Sequence, residues 1–106
     1  MNALTEFSRL SGSIFVDGAA RSSTTTEHLD IIDPATEDRL AEMSDATETE
    51  VDEAIAVANK AQKVWNAINP LQRAEMMHEV ARDIAEMAPL VSEMMTREMG
   101  KPYKES

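Results

Sequence analysis

Thr47-Glu48-Thr49-Glu50-Val51-Asp52-Glu53-Ala54-Ile55 is the stretch on which the fold turns. Thr47 and Glu50 stand at capping-box spacing, and Glu48, Glu50, Asp52 and Glu53 crowd a first turn where the helix dipole favours negative charge. Beyond them Val51, Ala54, Ile55, Ala58, Ala61, Trp65 and Ile68 recur at three and four residues, so one stripe is apolar and a helix over 48–66 is predicted. Asn69-Pro70 then supplies an N-cap followed by proline at the first helical position. The second helix carries Leu71, Ala74, Met77, Ala81 and Ile84 as its stripe and pairs with the first as a hairpin. At Met87-Ala88-Pro89 the proline breaks the run, because it lacks an N–H and clashes with the preceding turn. A third helix reaches Gly100, which suits a left-handed C-cap.

Upstream the period is shorter. Ile14-Phe15-Val16 are strand formers ending at Asp17-Gly18, a two-residue turn signal that returns the chain through Ala19-Ala20-Arg21. Ser22-Ser23-Thr24-Thr25-Thr26 has nothing apolar to bury and reads as a loop. His28 to Ile32 is a second strand candidate, stopped at Asp33-Pro34-Ala35-Thr36, and Asp38 to Met43 is a third. These pieces suit a β-meander or arm over 14–44, preceded by a tail over 1–13 with no clear period and followed by helices over 45–106. Fold class is thus a short β-hairpin arm, an antiparallel helix pair and a third helix.

Composition narrows the functions. Among 106 residues, 20 acids against 10 Lys and Arg leave a net charge of −10, a field that repels phosphate backbones and anionic lipid surfaces. Nucleic acid and membrane are therefore not expected partners. There is no cysteine, which excludes disulfides, thiolate zinc sites and a thiol nucleophile from this polypeptide. No basic and apolar leader opens the chain and no apolar run of spanning length occurs, so a cytoplasmic protein is expected. Leu, Ile and Val number 6 each and Phe 2, while Ala numbers 15, which predicts a thin core leaning on something outside the chain. Six of the eight methionines follow residue 75, where flexible thioethers suit either core filling or an irregular docking surface.

Chemistry-bearing motifs are scarce. Gly12, Gly18 and Gly100 are too few and too far apart for a dinucleotide cradle, and Gly100-Lys101 fails as a phosphate loop because Pro102 follows and Met95 stands where the first glycine belongs. The acidic run Asp45 to Glu53 has Glu50 where a calcium loop needs glycine, and it reads as a helix start. His28 and His78 are far apart, without a second histidine one turn on, and read as surface residues. The residues alone reveal no active site.

The order of features is more specific. Ile14-Phe15-Val16-Asp17-Gly18, Ile32-Asp33-Pro34-Ala35-Thr36, Thr49 to Ile55, Trp65, Arg73 and Arg97-Glu98-Met99-Gly100-Lys101-Pro102 form a collinear set that resembles the N-terminal part of the aldehyde dehydrogenase superfamily. The last segment is most similar to succinate-semialdehyde dehydrogenase-like and broad-specificity members. The resemblance implies an α/β fold of which only the opening part is present, its helices packing on a coenzyme domain of Rossmann type. It implies thiolate attack on an aldehyde, hydride transfer to NAD or NADP and hydrolysis to an acid, with every catalytic and coenzyme-binding residue lying beyond Ser106. The chain alone is then expected to be inactive and to bind no coenzyme. One implied site does map here: a monovalent cation between the carbonyls of Ile31 and Ile32 and the carboxylate of Glu98. The expected partner is the remainder of such a polypeptide, or another copy through exposed helix faces. The rival expectation is a free-standing acidic interaction module derived from that scaffold. The ending Tyr103-Lys104-Glu105-Ser106 has no stop-like cap, which favours an interrupted enzyme over that module.

Overall fold

The computed structural model describes residues 2–106. The chain opens with a helix where a tail was expected: α1, Ala3–Leu10, is capped by Asn2, whose Oδ1 accepts from the Thr5 N–H at 2.9 Å. The correction has a simple cause. Ala3 and Phe7 lie one turn apart on one face, and both are buried, at 0% and 5% exposure. Eight residues are too few to stand alone as a helix, so α1 exists because that face docks on the rest of the chain.

Two hairpins follow. β1 (Ser13–Val16) and β2 (Ala19–Ser22) pair antiparallel with Val16 opposite Ala19. Asp17 (φ 55) and Gly18 (φ 75) are both left-handed, the geometry of a two-residue turn whose twist matches its strands. β3 (His28–Ile32) and β4 (Arg39–Ser44) pair antiparallel, with an irregularity between Ile31 and Ile32 that leaves Leu40 as the extra residue. The strands lie where the sequence placed them, but as two separate two-stranded sheets rather than one meander. The loop from β3 to β4 turns on Asp33, whose buried carboxylate accepts from the Ala35 N–H at 2.8 Å.

α2 (Glu48–Ala67), α3 (Pro70–Glu86) and α4 (Ala88–Met99) then run in the expected order, α4 ending at Gly100 with φ 73, and a 3₁₀ turn at Tyr103–Glu105 follows. The core is small: Ala3, Phe7 and Ala41, with Ile31, Leu40, Leu90 and Met94 packed around them. It sits between α1, β4 and α4. Met94 thus fills core, whereas Met76, Met77, Met87 and Met99 are exposed. In α2 the only buried residue is Glu50, and α3 buries none. Both predicted apolar stripes therefore lie open, with Val51, Ile55 and Trp65 exposed on one helix and Leu71, Met77 and Ile84 on the other.

Candidate functional site

The most highly constructed polar site surrounds Glu50. Its backbone N–H donates to Thr47 Oγ1 at 3.2 Å while its own side chain accepts from the Thr47 N–H at 3.0 Å, completing the capping box expected from spacing. The same carboxylate also accepts from Ser23 Oγ at 2.7 Å, Thr24 N–H at 2.8 Å and Thr24 Oγ1 at 3.1 Å. The Thr24 N–H, the Ser23 hydroxyl and the Thr47 N–H together hold its pKa down to about 2 against an ordinary 4.5. Beside it Arg21 of β2 donates from Nη1 and Nη2 to the two carboxylate oxygens of Glu53, which lowers the Glu53 pKa and raises that of Arg21.

This arrangement ties the Ser22–Thr26 loop and the β1–β2 hairpin to the start of α2. A cavity of about 310 Å³ opens between Arg21, Thr24, Thr47, Thr49, Glu50 and Glu53. Its chemistry is fixed rather than reactive. A carboxylate kept ionised far below neutral pH, with both oxygens engaged, is a poor general base or acid. The cluster therefore positions elements. Sequence reading found the Thr47–Glu50 half of it; the Ser23 and Thr24 half joins residues 26 and 27 positions apart, which no local pattern reveals.

The three residues expected around a cation are distributed as follows. Ile31 is half-buried and packs on the core, and Ile32 is exposed at the end of β3, next to the irregular pairing. Glu98 is exposed in the last turn of α4. The turn and the helix end do meet: a Cβ built on Gly100 would lie 3.2 Å from Pro34 Cγ. Two carbonyls and a carboxylate are hard oxygen donors that fit a monovalent ion, yet they supply fewer ligands than a closed shell needs. Among the described residues no group of three or more His, Asp or Glu side chains is arranged to hold a metal. His28 is exposed and lies 3.3 Å from Glu42, and His78 is exposed, as surface histidines.

A sequence model of the aldehyde dehydrogenase family matches residues 20–106. The chain belongs to the aldehyde dehydrogenase family. Solved structures agree in fold: an aldehyde dehydrogenase from Bacillus cereus superposes with a TM-score of 0.85 at 26% identity over 96% of this chain. A second, from Pseudomonas syringae in complex with NAD+ and octanal, gives 0.86 at 23% identity over 92%. Betaine aldehyde dehydrogenase from Staphylococcus aureus, in complex with NAD+, gives 0.85 at 23% over 99%. The chain spans about a fifth of each, 20 or 21% of their lengths, and has the architecture of an N-terminal fragment of the aldehyde dehydrogenase fold. The family match begins in β2, whereas the superpositions extend further toward the N-terminus or cover nearly all of the chain. Among the described residues no helix is long and apolar enough to cross a membrane.

Proposed function

We propose that this chain forms the N-terminal segment of a cytoplasmic, NAD(P)-dependent aldehyde dehydrogenase that oxidises an aldehyde to a carboxylic acid, and that alone it neither catalyses nor binds coenzyme. The observation that carries this is the open apolar surface of α2 and α3 in a chain of this family: Val51, Ile55, Val64, Leu71, Val80 and Ile84 are each at least 46% exposed. Such helices need a further layer to cover them. The remainder of the enzyme is that layer and would carry the thiol nucleophile and the phosphate-binding loop that this sequence lacks. Purified 1–106, titrated in a calorimeter with NAD or NADP and assayed with aldehydes, is expected to show neither binding nor reduction. Saturable coenzyme binding would overturn the proposal. The resemblance of Arg97 to Pro102 to succinate-semialdehyde dehydrogenase-like and broad-specificity members leads us to propose a semialdehyde as one substrate, tested by comparing it with simple aldehydes on a full-length enzyme that contains this segment.

The same reading gives Ile31, Ile32 and Glu98 a role in holding a monovalent cation, supported by the contact of the Gly100 helix end with the Pro34 turn. When bound, the ion would neutralise the Glu98 carboxylate and carbonyl dipoles at that junction. The expected result is that potassium or sodium raises the melting temperature of the full-length enzyme relative to a bulky organic cation at equal ionic strength. Glu98→Gln should abolish that difference. Equal cation dependence in parent and variant removes Glu98 from the site.

A further inference from the structure

The turn Asp17-Gly18 takes no part in the fold's core or in the Glu50 cluster, and its geometry points to a site of spontaneous covalent modification: closure of Asp17 onto the Gly18 nitrogen, giving a succinimide that reopens in part to isoaspartate. In the closing step the Gly18 nitrogen attacks Cγ of Asp17. The N–Cγ bond forms, the Cγ–O bond breaks, and that oxygen leaves as water with the amide proton and the carboxyl proton. Water then adds to either ring carbonyl. Addition at the main-chain carbonyl sends the chain through Asp17 Cβ, so one water leaves, one returns and nothing is oxidised or reduced.

Three observations select this position. Asp17 and Gly18 are both exposed, a Cβ built on Gly18 would meet no atom within 4 Å, and Asp17 borders an open cavity of about 270 Å³ facing Val57, Lys60, Ala61 and Val64 of α2, which leaves its side chain room to move. The ladder closes with Val16 opposite Ala19, which leaves the Gly18 N–H outside the strand pairing. The turn end of the hairpin is weakly held, the Arg21–Glu53 tie lying toward its other end: the sheet has two four-residue strands, every residue of β2 is exposed, and Asp17 bears the cost of a left-handed φ of 55. Opening frees the Asp17 side chain to swing over the nitrogen. The other six aspartates are disfavoured. Asp30, Asp38, Asp45, Asp52 and Asp83 precede residues with a Cβ, and Asp33 precedes a proline with no N–H while its carboxylate is held by Ala35 and Thr36.

The modification adds one methylene to the main chain of a loop that has only two residues. The pairing of Ile14 with Arg21 cannot keep its register through such an insertion, so Arg21 is drawn off Glu53 and the hairpin loosens from α2. The site therefore acts as an ageing mark on the tie between the arm and the helices, independent of whether the chain is part of a longer enzyme.

The test is incubation of the full chain at neutral pH in water enriched in heavy oxygen, followed by proteolysis and mass measurement of each aspartate peptide. Each passage through the ring leaves one heavy oxygen. The expected result is severalfold more label at Asp17 than at any other aspartate, with a same-mass isoform of that peptide resisting a protease that cuts at aspartyl bonds. Labelling should run at a rate comparable to the urea-unfolded chain, and Gly18→Ala should slow it even though alanine strains the turn. Uniform labelling of all aspartates, or a folded turn labelled far more slowly than the unfolded chain, overturns the inference.

Discussion

With donors from Ser23, Thr24 and Thr47 on its two oxygens, the Glu50 carboxylate is stabilised as an anion, and its linkage to folding has a definite sign. Its folded pKa of about 2 lies below the ordinary 4.5. The stability it contributes is therefore fully present above pH 4.5 and is lost as pH falls from there through about 2. General charge repulsion acts oppositely, because a chain of net charge −10 loses self-repulsion as its acids protonate. Comparison with Glu50→Gln isolates the site. The variant is expected to melt below the parent at neutral pH, with the gap closing through that acid window in thermal unfolding followed by circular dichroism; a gap constant with pH would mean the carboxylate charge does not matter. Other single residues were legible to differing degrees. Gly100 and Gly18 sit at the left-handed positions their sequence context demanded, but Glu37 also has φ 65. No local signal marks a glutamate for that left-handed position, whereas Asp33 does what its place before Pro34 suggests, its Oδ1 accepting from the Ala35 and Thr36 N–H groups.

At the scale of elements, strands and long helices were readable to within a residue or two because each carries its own period and its own stop: Asp17-Gly18, Asp33-Pro34, Asn69-Pro70, Met87-Ala88-Pro89 and Gly100. α1 was not. Ala3, Phe7 and Leu10 do fall one and two turns apart, but three residues in an eight-residue segment do not separate a helix from chance, and what stabilises α1 is tertiary. It packs on β4 and α4 and supplies two of the three buried apolar residues among those described. Phe7→Ala is thus expected to cost about 3–5 kcal/mol, the range for emptying a buried phenylalanine site. In a chain with so small a core this should abolish a cooperative transition in urea. Leu4→Ala on the exposed side of the same helix is the control, expected to leave the transition nearly unchanged. Similar losses in both variants would show that helix propensity, rather than docking of the Phe7 face, maintains α1. The Glu50 cluster was half legible for a related reason: capping boxes are written within four residues, whereas the loop that completes this one arrives from the preceding hairpins.

The whole molecule is larger than its length requires. Its radius of gyration is 16.7 Å, whereas a closely packed domain of this length has about 13 Å. The excess comes from α2 and α3, which project apolar residues that no element among the described residues covers: Leu71 is 70% exposed, Val64 66%, Met77 59% and Ile55 55%. Exposed surface of this kind costs free energy in water and is relieved by association. The charge of −10 opposes indiscriminate aggregation, so limited, reversible association is the expected outcome. Isolated 1–106 should therefore bind a hydrophobic dye at neutral pH, show a mass in sedimentation above that of the 11.7 kDa monomer, and associate further as salt screens the charge. Ile55→Glu with Leu71→Glu places charge on both stripes without touching a buried residue, and should reduce dye binding and restore monomer while leaving helix content unchanged. On the proposal made above, the rest of an aldehyde dehydrogenase would cover the same surface, so a full-length enzyme containing this segment should bind little dye, and the double variant should impair its folding. A chain that stays monomeric and dye-free in all salts would mean that its helices close on one another in solution, and would favour a free-standing module over an enzyme segment.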